Sequence, residues 1–175
     1  MASNNLQIDA WCRPRVKAWL GVHSSDLLPD LARLPPKPGG YFCISNTSSS
    51  THPGVHWITL GGLLDTAAPP FYFSAFGDRP DDFDPLYGAK TRFAEFLVAA
   101  SQRAGHGGTY RHSPLELECH SQQNCGQWAS FAAVHGLPQD ARGPFEPEWA
   151  RVAAVAVASP CGAGDRLIRR LVRFQ

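Results

Sequence analysis

A chain of 175 residues is long enough to bury a core without staples, and its length suits one domain over 1–175. A hydrophobic content of 43% against 18% charged residues excludes intrinsic disorder. Sixteen basic against fifteen acidic side chains leave a net charge of +1, which excludes a strongly basic nucleic-acid binder.

The opening residues are polar and lack the basic end and apolar run of a signal peptide. A first helix is predicted over 10–20, with Trp11, Val16, Trp19 and Leu20 on a broadly apolar face and Pro14 near its first turn. A Pro/Gly-rich loop follows over 35–40. Three short strands come next, over 41–46, 55–60 and 71–76, separated by polar or glycine-containing turns. Such short connections imply an antiparallel meander. An acidic loop over 78–84 leads to a helix over 86–103, then a Gly/His-rich loop and a short strand near 115–118.

The polar segment 119–124 enters an apolar run, 125–134, that reads as a buried helix closed by Gly136 and Pro138. Two further helices are predicted around 147–158 and 164–174. The whole is an α+β domain, a small antiparallel sheet with packed helices. The longest apolar run, 152–158, is far short of a membrane span, so no membrane partner and a soluble, intracellular protein are expected. Five scattered cysteines (12, 43, 119, 125 and 161) fit reduced thiols better than a disulfide framework.

The chemistry centres on Asn124-Cys125-Gly126, where a loop enters a helix. The free N–H groups and dipole of a helix N-terminus favour thiolate over thiol, and the N–H of Cys125 could face an oxyanion. His56, in Gly54-Val55-His56-Trp57 at the start of a strand, is the candidate base, 69 residues upstream. A buried structural cysteine and a satisfied strand histidine are the bland alternatives.

In order along the chain, Trp19-Leu20-Gly21-Val22-His23, Cys43-Ile44-Ser45-Asn46-Thr47, Gly54-Val55-His56-Trp57, Phe71-Tyr72-Phe73-Ser74-Ala75-Phe76-Gly77 and Asn124-Cys125-Gly126 resemble adenain, the cysteine endoprotease family of adenoviruses and related viruses. Its clan also includes the SUMO-specific proteases. The resemblance covers about residues 19–138 and leaves the helical part 139–175 unmatched. It implies the α+β thiol-protease fold and cleavage of viral precursor polypeptides during virion maturation, usually after a small residue such as Gly. It implies Cys125 as nucleophile and His56 as base. It also implies an acidic third member in the strand before Phe76-Gly77 and an oxyanion glutamine about seven residues before the nucleophile.

Two positions depart from that pattern. The acid slot holds Ser74, whose hydroxyl can orient an imidazole but cannot stabilise its charge. Asp65 and Asp78 lie nearby as substitutes, although turn residues of this kind are ordinarily solvated. The oxyanion slot holds Glu118, which could serve only if burial keeps it protonated, or if Gln122 or Gln123 takes its place. By the same resemblance the protein would act in the host cell nucleus and virion. No cofactor is required by the chemistry, but a short viral peptide and DNA are expected activators. The covalent peptide link of the family is not expected, because no cysteine lies between Cys43 and Cys119; non-covalent binding or use of Cys119 remains. DNA would have to use Arg166, Arg169, Arg170 and Arg173, which at helical spacing otherwise make a solvated face.

Three other readings compete. Cys119, His120, Cys125, His112 and His135 could form a zinc site, but they lack a Cys-x2-Cys knuckle, so no metal is expected. Cys125-Gly126-Gln127-Trp128 resembles the nucleophile helix of papain-like enzymes, whose histidine follows the cysteine; the one downstream histidine, His135, is on or just beyond the same helix. Lastly, Ser74 and Glu118 together would suit a catalytically impaired protein of this fold, acting as an assembly or nucleic-acid-binding component.

Overall fold

The computed structural model describes residues 4–31, 40–62, 68–82, 92–118, 123–136, 146–159 and 163–174. Among them, in chain order, are α1 (Asn5–Cys12), β1 (Trp19–Ser24), β2 (Tyr41–Asn46), β3 (Trp57–Gly62), β4 (Phe71–Phe73), α2 (Phe93–Arg103), β5 (Arg111–His112), α3 (Cys125–His135), α4 (Glu146–Ala158) and α5 (Ala163–Leu171). The strands form one sheet in the order β1-β2-β3-β4-β5. The α+β class holds.

Strands β2, β3 and β4 are the antiparallel meander that their short connections demand. The edges differ from expectation. β1 pairs parallel with β2, and β5 parallel with β4, so the sheet is mixed. A parallel pair needs a crossover, and the chain between β4 and β5 supplies one through α2.

Alternation along the strands sends side chains to two apolar layers. Tyr41, Cys43, Ile58, Leu60 and Tyr72 pack with Phe93, Phe96 and Leu97 of α2. From the other face, Phe71 and Phe73 meet Trp128, Phe131 and Ala132 of α3, while Ile44 meets Ala129 and Ala133. Helix α3 is therefore pressed against the middle of the sheet, and the Thr59 hydroxyl donates to the Ala129 carbonyl at 2.6 Å. A helix apolar all round is a buried helix, and α3 is one.

The helix expected over 10–20 is not formed. Asn4 and Gln7 make a reciprocal capping box that starts α1 earlier, and Pro14, lacking an N–H, lies just past its end. Trp19 and Leu20 instead begin β1. Their apolar character suits a strand as well as a helix, and pairing with β2 decides. Gly21, with φ of 110°, takes up a register shift between Trp19 and the following pairs. The strand expected near 115–118 is only an isolated bridge, Phe76 with Glu116; the regular pairing lies earlier, at Arg111–His112. Residues 83–91, where the helix at 86–103 was expected to start, lie outside the described residues; α2 is described from Phe93.

Helices α4 and α5 pack closely. A Cβ on Gly164 would stand 2.7 Å from both the Cα and the Cβ of Ala156, contact that only glycine permits. Gly164→Val is therefore expected to destabilise the protein by about 2–3 kcal/mol, read as a lower urea midpoint at unchanged slope.

Candidate active site

His56 sits immediately before β3, and two local features fix it. The Asn46 side-chain oxygen accepts the N–H groups of Ser48 and Val55, closing the 47–55 loop onto the end of β2. Gly54 permits this, since a Cβ there would lie 2.4 Å from the Asn46 amide nitrogen. The His56 carbonyl then accepts from the Thr47 N–H at 2.9 Å. Its ring is 2% exposed and stacks on Phe76, with centroids 4.3 Å apart. The imidazole is shielded and held in plane.

Ser74 follows β4 directly and is fully buried. Its Oγ lies 3.1 Å from His56 Nε2, accepts from the Phe76 N–H at 3.2 Å, and donates to Asp78 Oδ2 at 3.1 Å. A hydroxyl has one proton. With that proton on Asp78, Ser74 receives Nε2–H, and Nδ1 becomes the nitrogen that can take a proton from a nucleophile. The carboxylate absent from the expected slot thus stands one hydroxyl further away. Turn geometry brings it there: Gly77, with φ of 76°, returns the chain, and its N–H donates to the Ser74 carbonyl.

For any reaction in which His56 takes the thiol proton, Ser74→Ala is expected to lower the rate roughly 10²-fold and Asp78→Asn roughly tenfold, both read from the rate at which a small electrophile alkylates Cys125. The alanine removes the acceptor itself, whereas the asparagine keeps a polar partner and loses only the charge.

Cys125 is the first residue of α3, and it is half-buried, whereas Cys12 and Cys43 are fully buried. Ligand atoms of His56, Glu118 and Cys125 all lie within 4.8 Å of one another. The helix N-terminus was expected to favour thiolate. Burial outweighs it and pushes the thiol up to about 11, with Glu118 adding to the rise. Backbone hydrogen bonds at Trp57, Gly126 and Cys125 itself pull it down by less. The resting pair is accordingly a neutral thiol beside an imidazole, so any attack by the thiol would have to give up its proton during the reaction rather than before it.

Glu118 is fully buried. Its backbone N–H donates to the Ala75 carbonyl, which fixes it beside the Ser74 turn. Its Oε1 accepts the Asn124 N–H at 2.6 Å, and its Oε2 has no hydrogen-bond partner among the described residues. Burial raises the carboxyl to about 8, against the lowering effect of the Asn124 N–H; Asp165 raises it further, and Cys125 N–H and Arg169 lower it. At neutral pH most of it is therefore protonated, and the contribution of its charge to the Cys125 thiol is largely removed. A protonated carboxyl donates, as an amide does.

Sequence reasoning missed the contribution of the C-terminal helices. Arg169 Nε donates to Asn124 Oδ1 at 2.6 Å, and Trp128 Nε1 donates to Asp165 Oδ1 at 3.3 Å. Helix α5 thus grips the start of α3, from Asn124, which precedes Cys125, to Trp128. No local signal marks this: an Asp at the start of an Arg-rich helix looks solvated, yet Asp165 is 3% exposed. Arg166, Arg170 and Arg173 are exposed.

Among the described residues, His56, Glu118 and Cys125 are the group whose side chains converge as metal ligands do; His112 and His135 are not part of it. Gln123 is exposed. Asp65, Cys119, His120, Gln122 and Cys161 lie outside the described residues. No helix among the described residues is long and apolar enough to cross a membrane.

No protein-family model matches the sequence, and no curated protein matches it. Among solved structures, the chain is similar to the selenomethionine crystal structure of the ASFV pS273R protease, with a TM-score of 0.53 and 13% identity, over 99% of this chain and 68% of that one. At that identity the likeness is one of fold: an α+β architecture shared with a protease.

Proposed function

We propose that this chain is a cysteine endopeptidase of the adenain type that cleaves viral precursor polypeptides during virion maturation. The observation that carries the reading is the convergence of Cys125, at a helix N-terminus, with a buried His56 oriented through Ser74 to Asp78. The likeness in fold to the ASFV pS273R protease supports it.

In this mechanism Cys125 Sγ attacks the scissile carbonyl carbon while His56 Nδ1 takes the thiol proton. The Ser74 hydroxyl accepts from Nε2–H, and Asp78 offsets the imidazolium charge through it. The oxyanion forms near the Cys125 N–H and the protonated Glu118. His56 then gives its proton to the leaving amine, leaving a thioester that water, activated by the same imidazole, hydrolyses. Cleavage after glycine is the expected specificity. A short viral peptide and DNA are the proposed activators, DNA at Arg166, Arg170 and Arg173, and the host nucleus and virion the proposed sites of action.

The test is incubation with Gly-containing peptides, with and without DNA and viral peptide extracts, alongside Cys125→Ala and His56→Ala, with products read by mass spectrometry. Cleavage lost in both variants supports the reading. No cleavage, with no modification of Cys125 by a peptide electrophile, moves it to a non-catalytic assembly or nucleic-acid-binding role.

A further inference from the structure

We propose that Cys125, His56 and Glu118 together form a binding site for one Zn2+ ion, which holds the thiol in a silent state until the ion is removed. A thiol, an imidazole and a carboxyl are each donors that zinc takes, and three-ligand zinc sites leave a fourth position to water. Their ligand atoms lie within 4.8 Å of one another. Tetrahedral zinc at about 2.0–2.3 Å from each ligand sets neighbouring donors roughly 3.3–3.7 Å apart. The closing required is no more than about 1.5 Å, within reach of side-chain rotation at Cys125 and Glu118.

What surrounds the three residues is as telling as their proximity. His56 is anchored through Nε2 to Ser74, and Ser74 to Asp78, the outer-shell support that orients a ligating imidazole and presents Nδ1 to the metal. Glu118 is anchored through Oε1 to the Asn124 N–H, while Oε2, fully buried, has no partner among the described residues. A buried carboxyl oxygen without a partner is costly unless something occupies the space it faces. Zinc would replace the thiol proton of Cys125 and the carboxyl proton of Glu118, both released to solvent. The two anionic ligands would then cancel the 2+ charge, so the loaded site carries no net charge into a buried place.

Binding goes beyond the protease reading, and only the silencing rests on it. The two fail separately because binding is measured without substrate. Chelator-treated full-length protein is titrated with Zn2+ against a chromophoric chelator, and with Co2+ as a spectroscopic substitute. One ion per chain at sub-micromolar Kd is expected, with a thiolate-to-cobalt charge-transfer band. Cys125→Ser should abolish that band and weaken zinc at least about 100-fold, and Glu118→Gln should weaken zinc about 10–100-fold. Far-UV circular dichroism checks that each variant is folded. Should the histidine variant His56→Ala misfold, Ser74→Ala, which removes only the outer-shell partner, is expected to weaken zinc about tenfold. Undiminished stoichiometric binding in folded Cys125→Ser and Glu118→Gln, or wild-type binding weaker than about 100 µM, would overturn the site. If the wild type cleaves peptide, sub-micromolar Zn2+ should stop it and a chelator restore it; cleavage that persists with zinc bound would overturn the silencing.

Discussion

Cys125→Ala and His56→Ala are each expected to reduce kcat/KM for peptide cleavage by at least about 10⁴-fold, and the double variant to be no worse than either single one. A loss of that size is about 5.5 kcal/mol of transition-state stabilisation. It is large because the two groups work as one. With its thiol pushed up to about 11, Cys125 holds almost no thiolate at neutral pH and depends on the imidazole to accept its proton as the bond to carbon forms. Alkylation should report the same coupling. A small electrophile should modify Cys125 ahead of Cys12 and Cys43, which are both fully buried, and should do so more slowly in His56→Ala. The Cys12 thiol is itself pushed up to about 12 by burial. Retained cleavage in Cys125→Ala would place the nucleophile elsewhere and end the thiol-protease reading.

Glu118→Gln is expected to change two pH profiles, measured with chelator in every buffer. The first is activity. The wild type should lose kcat/KM above pH about 8, where the carboxyl ionises and faces the developing oxyanion with like charge. Glutamine cannot ionise, so the alkaline loss should disappear. Glu118→Ala, which removes the donor altogether, should cost roughly 10²–10³-fold at every pH.

The second profile is stability, and its direction follows from proton counting. The folded carboxyl titrates near 8 and the unfolded one near 4.5. Below pH 4.5 both states hold the proton, and the group costs nothing extra. As pH rises through 4.5 to 8 the unfolded chain releases its proton while the folded chain keeps it, so folding loses about 1.4 kcal/mol per pH unit. The full cost, on the order of 5 kcal/mol, is reached above pH about 8. Urea unfolding at pH 5, 7 and 9 should therefore show Glu118→Gln increasingly more stable than wild type. Parallel curves for the two proteins would mean that Glu118 ionises normally and cannot donate.

Much of the site could be read in the sequence because its signals are local. Asn124-Cys125-Gly126 marks a loop entering an apolar run, and the helix does begin at Cys125. The 41–46 strand lies where a short run between a Pro/Gly-rich loop and a polar loop puts it, and α4 within a residue of its expected start. Gly54 and Gly77 needed no neighbours to stand out as turn residues, although what each permits, close contact with Asn46 and a turn with positive φ, is visible only in the fold.

Other features were beyond any local pattern. Trp19 and Leu20 have apolar side chains that serve either a helix or a strand; only the presence of β2 alongside makes them β1 and the sheet mixed. Asp78 is an unremarkable turn acid until Ser74 is seen between it and His56. Arg169 and Asp165 belong to the stretch with least sequence signal, yet they hold Asn124 and Trp128, on either side of Cys125. The ionisation of Glu118 is the clearest case. Sequence supplies a carboxylic acid seven residues before Cys125. Whether it repels an oxyanion or donates to one depends on its desolvation, and that is decided by what the tertiary structure packs around it.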